Sequence, residues 1–391
     1  MLFRDTWIEV DLDAIRHNVS QLIKHYVKPR KFIAVVKADA YGHGAVEVAR
    51  CAIEAGADYL AVATLDEAIE LRLHQIRHPI LILGNVPLKY LNVAASLKLT
   101  LTIHSFDWLK KALSYPLKER LAVQIKLDTG MHRIGLLHKE EVEQAIAMIQ
   151  QSPYFHLTGI YSHLATADEE DSTYYELQLK RFKAMIQGIN TTGLMIHLAN
   201  SMATVKFHDT ITNAVRVGIL IYGVSPLILP LRFPLKPALR LYTSIIQCKK
   251  VKKGSKIGYN GRYETPSDEW IGTLPIGYAD GFQPLERHGL VYLNSCYVPI
   301  VGKVCMDQSM VRLPYAVPIG TQVEIIGSHI TIMSYAQQSG MHIYQALTQL
   351  SRRLPRVYIQ ENQVQGIIHR GLGFSLKPLG DIQSFNDSMM E

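Results

Sequence analysis

Lys37 stands directly behind Phe32-Ile33-Ala34-Val35-Val36, an apolar run with the length and residue types of a buried strand. Ala38-Asp39-Ala40-Tyr41-Gly42-His43-Gly44 follows as a glycine-containing turn, and from Ala45 to Ala55 apolar residues recur at helical spacing. A lysine at the carboxyl end of a buried strand, just before a turn into a helix, lies where parallel α/β sheets place their chemistry. Burying its charge is costly. Desolvation lowers the pKa of the amine and leaves a nucleophile suited to Schiff-base formation. On spacing alone, a solvated lysine at a strand end is the plain alternative.

The elements that would position this lysine form a regular alternation. Strand patterns fall at Tyr59–Val62, Ile80–Leu83, Leu99–Ile103, Ala122–Leu127, Leu157–Tyr161, Met195–Leu198 and Val215–Ile219. Helical patterns separate them at Leu65–His74, Lys89–Leu97, Phe106–Leu113, Glu140–Gln150, Thr173–Ile189 and Ser201–Phe207. With the lysine strand this makes eight strands in about 200 residues, the count of a closed (β/α)8 TIM-type barrel. A doubly wound open sheet usually has fewer strands and more often carries a nucleotide fingerprint, which is absent.

Ahead of the barrel, Trp7-Ile8-Glu9-Val10-Asp11 alternates like an antiparallel strand, and Asp11 or Asp13 is placed to cap a helix reaching about Val27. Behind it, Leu229-Pro230-Leu231-Arg232-Phe233-Pro234-Leu235-Lys236-Pro237 cannot be helical and reads as a linker. Short strands then follow at Arg240–Cys248, Glu269–Pro275, Val291–Leu293, Val298–Val304, Ser309–Leu313 and Thr321–Ile326, with one helix near His342–Leu354. The expected organisation is a barrel over 12–235 and a mostly β domain made of 236–391 together with residues 1–11, whose strand would pair with it.

Composition excludes several classes. Lys plus Arg exceed Asp plus Glu by 41 to 34, a net +7, yet no long basic run carries the excess. The charge favours anionic ligands weakly and argues little for nucleic acid, which is not expected as a partner. No function explains the sequence pI of about 9.0. Cys51, Cys248, Cys296 and Cys305 form no close-spaced pair, as expected of a reduced, cytoplasmic protein without a zinc or other metal site. Met1–Asp13 lacks the apolar core of a secretory signal. Val217–Leu231, the most apolar stretch, holds Gly, Ser and Pro and is too short to span a membrane.

If the barrel is closed, its carboxyl-end mouth gathers Lys37 and Tyr41 after the first strand and Lys126, Asp128 and Arg133 after the fifth. His163 follows the sixth, Asn200 and Ser201 the seventh, and Arg216 with Gly218 belongs to the eighth. Each alone is an ordinary polar group. Together they suit a phosphorylated cofactor. The backbone N–H groups of Gly218-Ile219 and the hydroxyls of Ser201 and Tyr41 are candidates for its phosphate.

Ten consecutive positions, Val35-Val36-Lys37-Ala38-Asp39-Ala40-Tyr41-Gly42-His43-Gly44, closely resemble the pyridoxal-phosphate attachment segment of alanine racemases. Further segments resemble the same family in family order: Lys126-Leu127-Asp128-Thr129-Gly130-Met131-His132-Arg133-Ile134-Gly135, His163-Leu164-Ala165-Thr166-Ala167-Asp168, Asn200-Ser201, and Arg216 to Gly223. In the β region the matches are Gly258-Tyr259-Asn260-Gly261, Pro275 to Gly281, Cys305-Met306-Asp307-Gln308, and Tyr344 ahead of Arg352-Arg353-Leu354-Pro355-Arg356. The resemblance spans nearly the whole chain. One departure follows Gly281. The family often places an arginine within a few residues, where this chain has Phe282-Gln283-Pro284-Leu285-Glu286-Arg287. That touches an outer contact at the entrance.

The resemblance implies an isomerase that interconverts L- and D-alanine with pyridoxal 5'-phosphate and supplies D-alanine for peptidoglycan. It implies that Lys37 carries the cofactor and is one of two bases, and that Tyr259, from the partner subunit of a homodimer with shared active sites, is the other. Cofactor contacts fall on Tyr41, His163, Asn200, Ser201, Arg216, Gly218, Ile219 and Tyr344, with Arg216 at the pyridine nitrogen. Arg133 lies near the phenolic oxygen, held by a carbamylated Lys126. The Met306 backbone N–H, with Arg133, receives the substrate carboxylate. Tyr278 and Tyr344 narrow the entrance.

Racemisation needs a base on each face of the substrate. A guanidinium at the ring nitrogen donates a hydrogen bond but no proton, which should favour prompt reprotonation over transamination. A serine or broad-specificity racemase of the same fold, a decarboxylase of the same plan and a non-catalytic cofactor carrier are the alternatives. Residues 277–281 and 305–308 favour the racemase over the decarboxylase.

Overall fold

The structure is a computed structural model and describes residues 2–207, 211–227, 230–284 and 289–369, with the backbone of Phe374–Leu376. The substituted stretch after Gly281 enters residues 285–288, so Arg287 lies outside the described residues. The chain divides into two compact units: Ala14–Ala40 with Ala45–Lys236, and Met1–Asp13 with Tyr41–Gly44 and Pro237–Glu391. Among the described residues no helix is long and apolar enough to cross a membrane.

β1 (Thr6–Asp11) belongs to the second unit. The first unit is a closed parallel barrel of eight strands: β2 (Lys31–Val35), β3 (Tyr59–Val62), β4 (Ile80–Ile82), β5 (Thr100–Ile103), β6 (Leu121–Lys126), β7 (Phe155–Tyr161), β8 (Met195–His197) and β9 (Ala214–Val217). β9 closes on β2 with Ile33 opposite Arg216. All eight expected strands and all the intervening helices are present. Most strand residues are buried because helices cover the outer face while side chains fill the interior.

Part of that interior is polar. Thr102, Gln124, His197 and Arg216 are buried with Tyr161. A register shift between β6 and β7 falls at Val123 and Gln124 and sets Gln124 opposite Gly159. A Cβ at Gly159 would meet the Met195 carbonyl oxygen at 2.5 Å and the Gln124 amide at 3.0 Å, so glycine is what lets Gln124 lie inside.

The second unit is built on an eleven-stranded sheet in the order β11-β14-β17-β16-β15-β18-β10-β1-β19-β20-β21. Here β10 is Leu239–Ser244, β11 Gln247–Val251, β14 Glu269–Leu274, β15 Leu290–Leu293, β16 Cys296–Val301, β17 Ser309–Leu313, β18 Gln322–Ile326, β19 Arg356–Gln360, β20 Gln363–His369 and β21 Phe374–Leu376. β12 (Lys256–Ile257) and β13 (Tyr263–Glu264) form a separate pair. β1 pairs antiparallel with β10 and parallel with β19, so the amino-terminal strand does join this sheet.

Three expectations need correction. Arg240–Cys248 is two strands: at Ile245 and Ile246 the chain leaves the pairing with β18 and enters the pairing with β14. The closing helix runs only over Ile343–Thr348 and is preceded by another, Ile332–Gln338. Beyond its end, the fully buried Arg356 donates to the carbonyls of Leu350, Ser351 and Leu354, which holds that segment in a non-helical path. The strands after Pro355 were not expected, since β20 opens with three exposed residues in a row and lacks the alternation of a half-buried strand.

Candidate active site

The turn after Lys37 has an unusual backbone. Ala38, Asp39, Ala40 and Tyr41 all take the left-handed conformation, with φ of 51° to 55°. Each such non-glycine residue costs about 1–2 kcal/mol, so neighbouring structure must hold the turn. The Ala38 N–H donates to Glu67 Oε1 at 2.6 Å, and the Ala45 N–H donates to Asp39 Oδ1 at 2.8 Å. Lys37 begins this turn just beyond the carboxyl end of β2.

Cations gather around it. Burial, Arg133 and Arg216 lower the pKa of Lys37, and Glu67 opposes them. Lys126, the last residue of β6, is buried. Desolvation first, then Arg133 and Arg216, lower its pKa to about 7 despite Asp128. Arg133 lies exposed on the loop that follows. Asp128 shapes that loop by accepting the N–H groups of Gly130 and His132 at 3.0 and 2.9 Å.

Arg216 lies within β9, as the expected strand Val215–Ile219 had it. Its Nη1 donates to His197 Nδ1 at 2.5 Å; its Nη2 donates to the Ser162 carbonyl at 2.7 Å and to His163 Nδ1 at 3.2 Å. An arginine only donates, so both histidines accept through Nδ1. His197 must then carry its proton on Nε2 and donate it to Gln124 Oε1 at 2.8 Å. Desolvation and Arg216 depress both histidines well below the usual imidazole range, so both are neutral. Burial brings Arg216 down to about 10, still cationic at neutral pH.

Tyr161 stacks on His197 with ring centroids 4.7 Å apart and lies 5.0 Å beneath the Arg216 guanidinium. Thr102 gives its proton to the Ile82 carbonyl, so Tyr161 is the donor in the 2.7 Å bond between the two hydroxyls. Burial raises the Tyr161 phenol to about 12.

Ser201 Oγ accepts the Gly218 N–H at 2.8 Å, which sets hydroxyl and glycine side by side, and Ile219 begins a short 3-10 turn. Asn200 caps the helix Ser201–Lys206 by accepting the Ala203 N–H at 3.0 Å.

The β unit carries the other candidates. Tyr41 and Tyr344 lie 6.2 Å apart by ring centroids, and burial with Tyr344 nearby raises the Tyr41 pKa. Gly44 has φ +101° and would place a Cβ 1.8 Å from the Tyr358 hydroxyl, so glycine is required there. Tyr259 is 66% exposed and Met306 53%, and Tyr278 is exposed too. Gly277 lets two segments touch: the Tyr278 and Ala279 N–H groups donate to the carbonyls of Cys305 and Met306, both at 3.0 Å. A Cβ at Gly277 would lie 2.3 Å from those same oxygens.

The barrel mouth therefore unites Lys37, Lys126, Arg133, His163 and Arg216 through shared electrostatics, with Ser201 and Gly218 bonded to each other. Sequence reading missed Glu67, Tyr161, His197 and Gln124 as parts of this arrangement. A histidine and a glutamine inside otherwise apolar strands were the available signal.

Two family models match the chain: "Alanine racemase, N-terminal domain" over residues 10–226 and "Alanine racemase, C-terminal domain" over 238–358. An alanine racemase of Anoxybacillus flavithermus is 45% identical over 374 residues, 93% of this chain and 97% of the relative. A crystal structure of the Bacillus anthracis alanine racemase with bound L-Ala-P superposes with a TM-score of 0.90 at 40% identity, covering 96% of this chain and all of that one. A histidine racemase from Leuconostoc mesenteroides subsp. sake has a TM-score of 0.85 at 30% identity and covers 92% of this chain and 99% of its own. With both family regions matched along most of its length and this architecture, the chain belongs to the alanine racemase family.

Proposed function

We propose that this protein interconverts L- and D-alanine in the cytoplasm, with pyridoxal 5'-phosphate on Lys37 and with D-alanine destined for peptidoglycan. The observation that carries the reading is the cluster of Lys37, Lys126, Arg133 and Arg216 at one barrel mouth, where both lysines have lowered pKa values. A lysine that sheds its proton readily can form an imine, and a dianionic phosphate with an ionised phenol suits a cationic surround.

These residues fit the cofactor. Lys37 would hold it covalently, Arg216 would face the ring nitrogen and Arg133 the phenolic oxygen. Ser201, Gly218, Ile219, Tyr41 and Tyr344 would take the phosphate end, with His163 and Asn200 beside it. When bound, pyridoxal phosphate supplies the electron sink that makes the α-proton removable.

The chain's own groups do the rest. The Lys37 amine moves the proton on one face, and the Tyr259 hydroxyl serves the other. Arg216 stays charged and donates without giving up a proton. The neutral His163 and His197 hold it there by accepting. Met306 N–H and Arg133 orient the substrate carboxylate, Tyr278 and Tyr344 limit side-chain size, and a carbamate on Lys126 would neutralise its neighbour Arg133. Lys126 supports that role because only a neutral amine adds carbon dioxide.

Tyr259 and Met306 lie in the β domain, 236–391 with 1–11, and their exposure supports their completing the site of a partner subunit in a homodimer. A broader amino-acid specificity is the second reading, supported by the histidine racemase of the same architecture.

The test is L-alanine with protein and pyridoxal phosphate in heavy water, followed by optical rotation and by the α-proton signal. Rotation decaying to zero with deuterium uptake is expected. Uptake with rotation retained would leave one working base and sink the two-base reading. Neither change would reject alanine as substrate.

A further inference from the structure

Glu67 lies in the first turn of the helix Leu65–Leu73, on the loop after β3. Its carboxylate serves two places at once. Oε2 accepts the N–H groups of Ala63 at 2.6 Å and Thr64 at 3.2 Å, and the Glu67 N–H donates to Thr64 Oγ1 at 3.4 Å, a reciprocal helix cap. Oε1 leaves that cap and accepts the Ala38 N–H at 2.6 Å. A capping glutamate needs only the first set. The second ties it to the residue that begins the left-handed turn, next to Lys37.

The charges facing Lys37 give this tether a second effect. Arg133 comes from the loop after β6, Lys126 from the end of β6, Arg216 from β9, and the neutral His163 from the loop after β7. Against these cations Glu67 sets a carboxylate whose field favours the protonated amine.

We propose that Glu67 is a positioning residue for Lys37: it fastens the left-handed turn that follows the lysine and sets an anion against the arginines that act on it. The role rests on Lys37 bearing the cofactor. Its two effects are separable, because a tether acts on cofactor affinity and a charge acts on the titration of the amine.

The test is competitive labelling of Lys37 with acetic anhydride across pH, read by peptide mass spectrometry on the full chain without cofactor, together with the dissociation constant for pyridoxal phosphate. E67Q removes the charge and sets an amide N–H against a backbone N–H. Its Lys37 labelling midpoint should fall below wild type, and cofactor affinity should drop roughly ten-fold, since bonds to a charged group are the stronger kind. E67D keeps the charge but cannot span both contacts, so it should hold the midpoint near wild type and lose affinity. T64A breaks the cap while sparing the carboxylate and should lower thermal stability with the midpoint unmoved.

A folded E67Q with wild-type midpoint and affinity overturns the proposal. So does a midpoint shift in T64A equal to that in E67Q, which would make the effect one of helix stability. If E67Q does not fold, E67D decides: unchanged affinity overturns the proposal. The labelling does not depend on racemisation, so a moved midpoint in a protein that fails to racemise alanine would reject the function and leave the Glu67 role standing.

Discussion

The barrel mouth and the tyrosine-bearing face of the β unit are built on opposite plans. At the mouth most of the groups are buried or half-buried and are shifted by burial and by each other's charge: Lys126 to about 7, Arg216 to about 10 and Tyr161 to about 12. On the β unit, Tyr259, Tyr278 and Met306 stand exposed on short turns fixed by backbone contacts. One region makes its chemical environment within a single unit. The other presents side chains and leaves their environment to whatever covers them.

Variants at each region test this contrast. K37A should cost the most: activity lost by more than about 10³-fold, with no borohydride-trapped cofactor adduct. Residual trapping at another lysine would break the assignment. Y259F should lower racemisation by roughly 10²–10⁴-fold and leave cofactor affinity unchanged, since an exposed hydroxyl contributes little to its own unit. Activity from a species that sediments as a monomer would remove the need for a covering partner.

R216E should slow racemisation by about 10²-fold and raise transamination products, measured as pyruvate. Unchanged product ratios would count against its place at the ring nitrogen.

The smallest expected effect concerns stability. A lysine whose folded pKa lies near 7 and whose unfolded value is 10.5 binds fewer protons when folded across that interval, so its contribution to stability rises with pH there. Its burial penalty is full below about pH 7 and gone above about 10.5. K126M should therefore raise Tm by a few degrees at pH 6 in carbon-dioxide-free buffer, with a smaller gain at pH 9. A larger gain at pH 9 would reverse the sign and refute the shift. Saturating bicarbonate should shrink the pH 6 difference if a carbamate forms.

Much of the barrel was legible because its strands are short apolar runs bounded by turns, as at Tyr59–Val62, and its helices show a clean apolar face, as at Phe106–Leu113. The residues that follow strand ends were legible for the same reason: once the strands are placed, Lys37, His163 and Ser201 fall at the mouth by counting. The carboxy-terminal strands were not, because β20 opens with three exposed residues in a row and so lacks the alternation of a half-buried strand.

By itself the sequence determined the order of elements, the lysine's position behind a buried strand and the family to which the chain belongs, since these rest on local periodicity and on residue types in register. The tertiary structure alone decided the rest. It turned four non-glycine residues left-handed behind Lys37, because Glu67 and Asp39 supply the bonds that offset the strain. It set the histidine tautomers, because only contact with an arginine that cannot accept requires Nδ1 to do so. It shifted the lysines because desolvation and like charge depend on distances through space, which no spacing along the chain encodes.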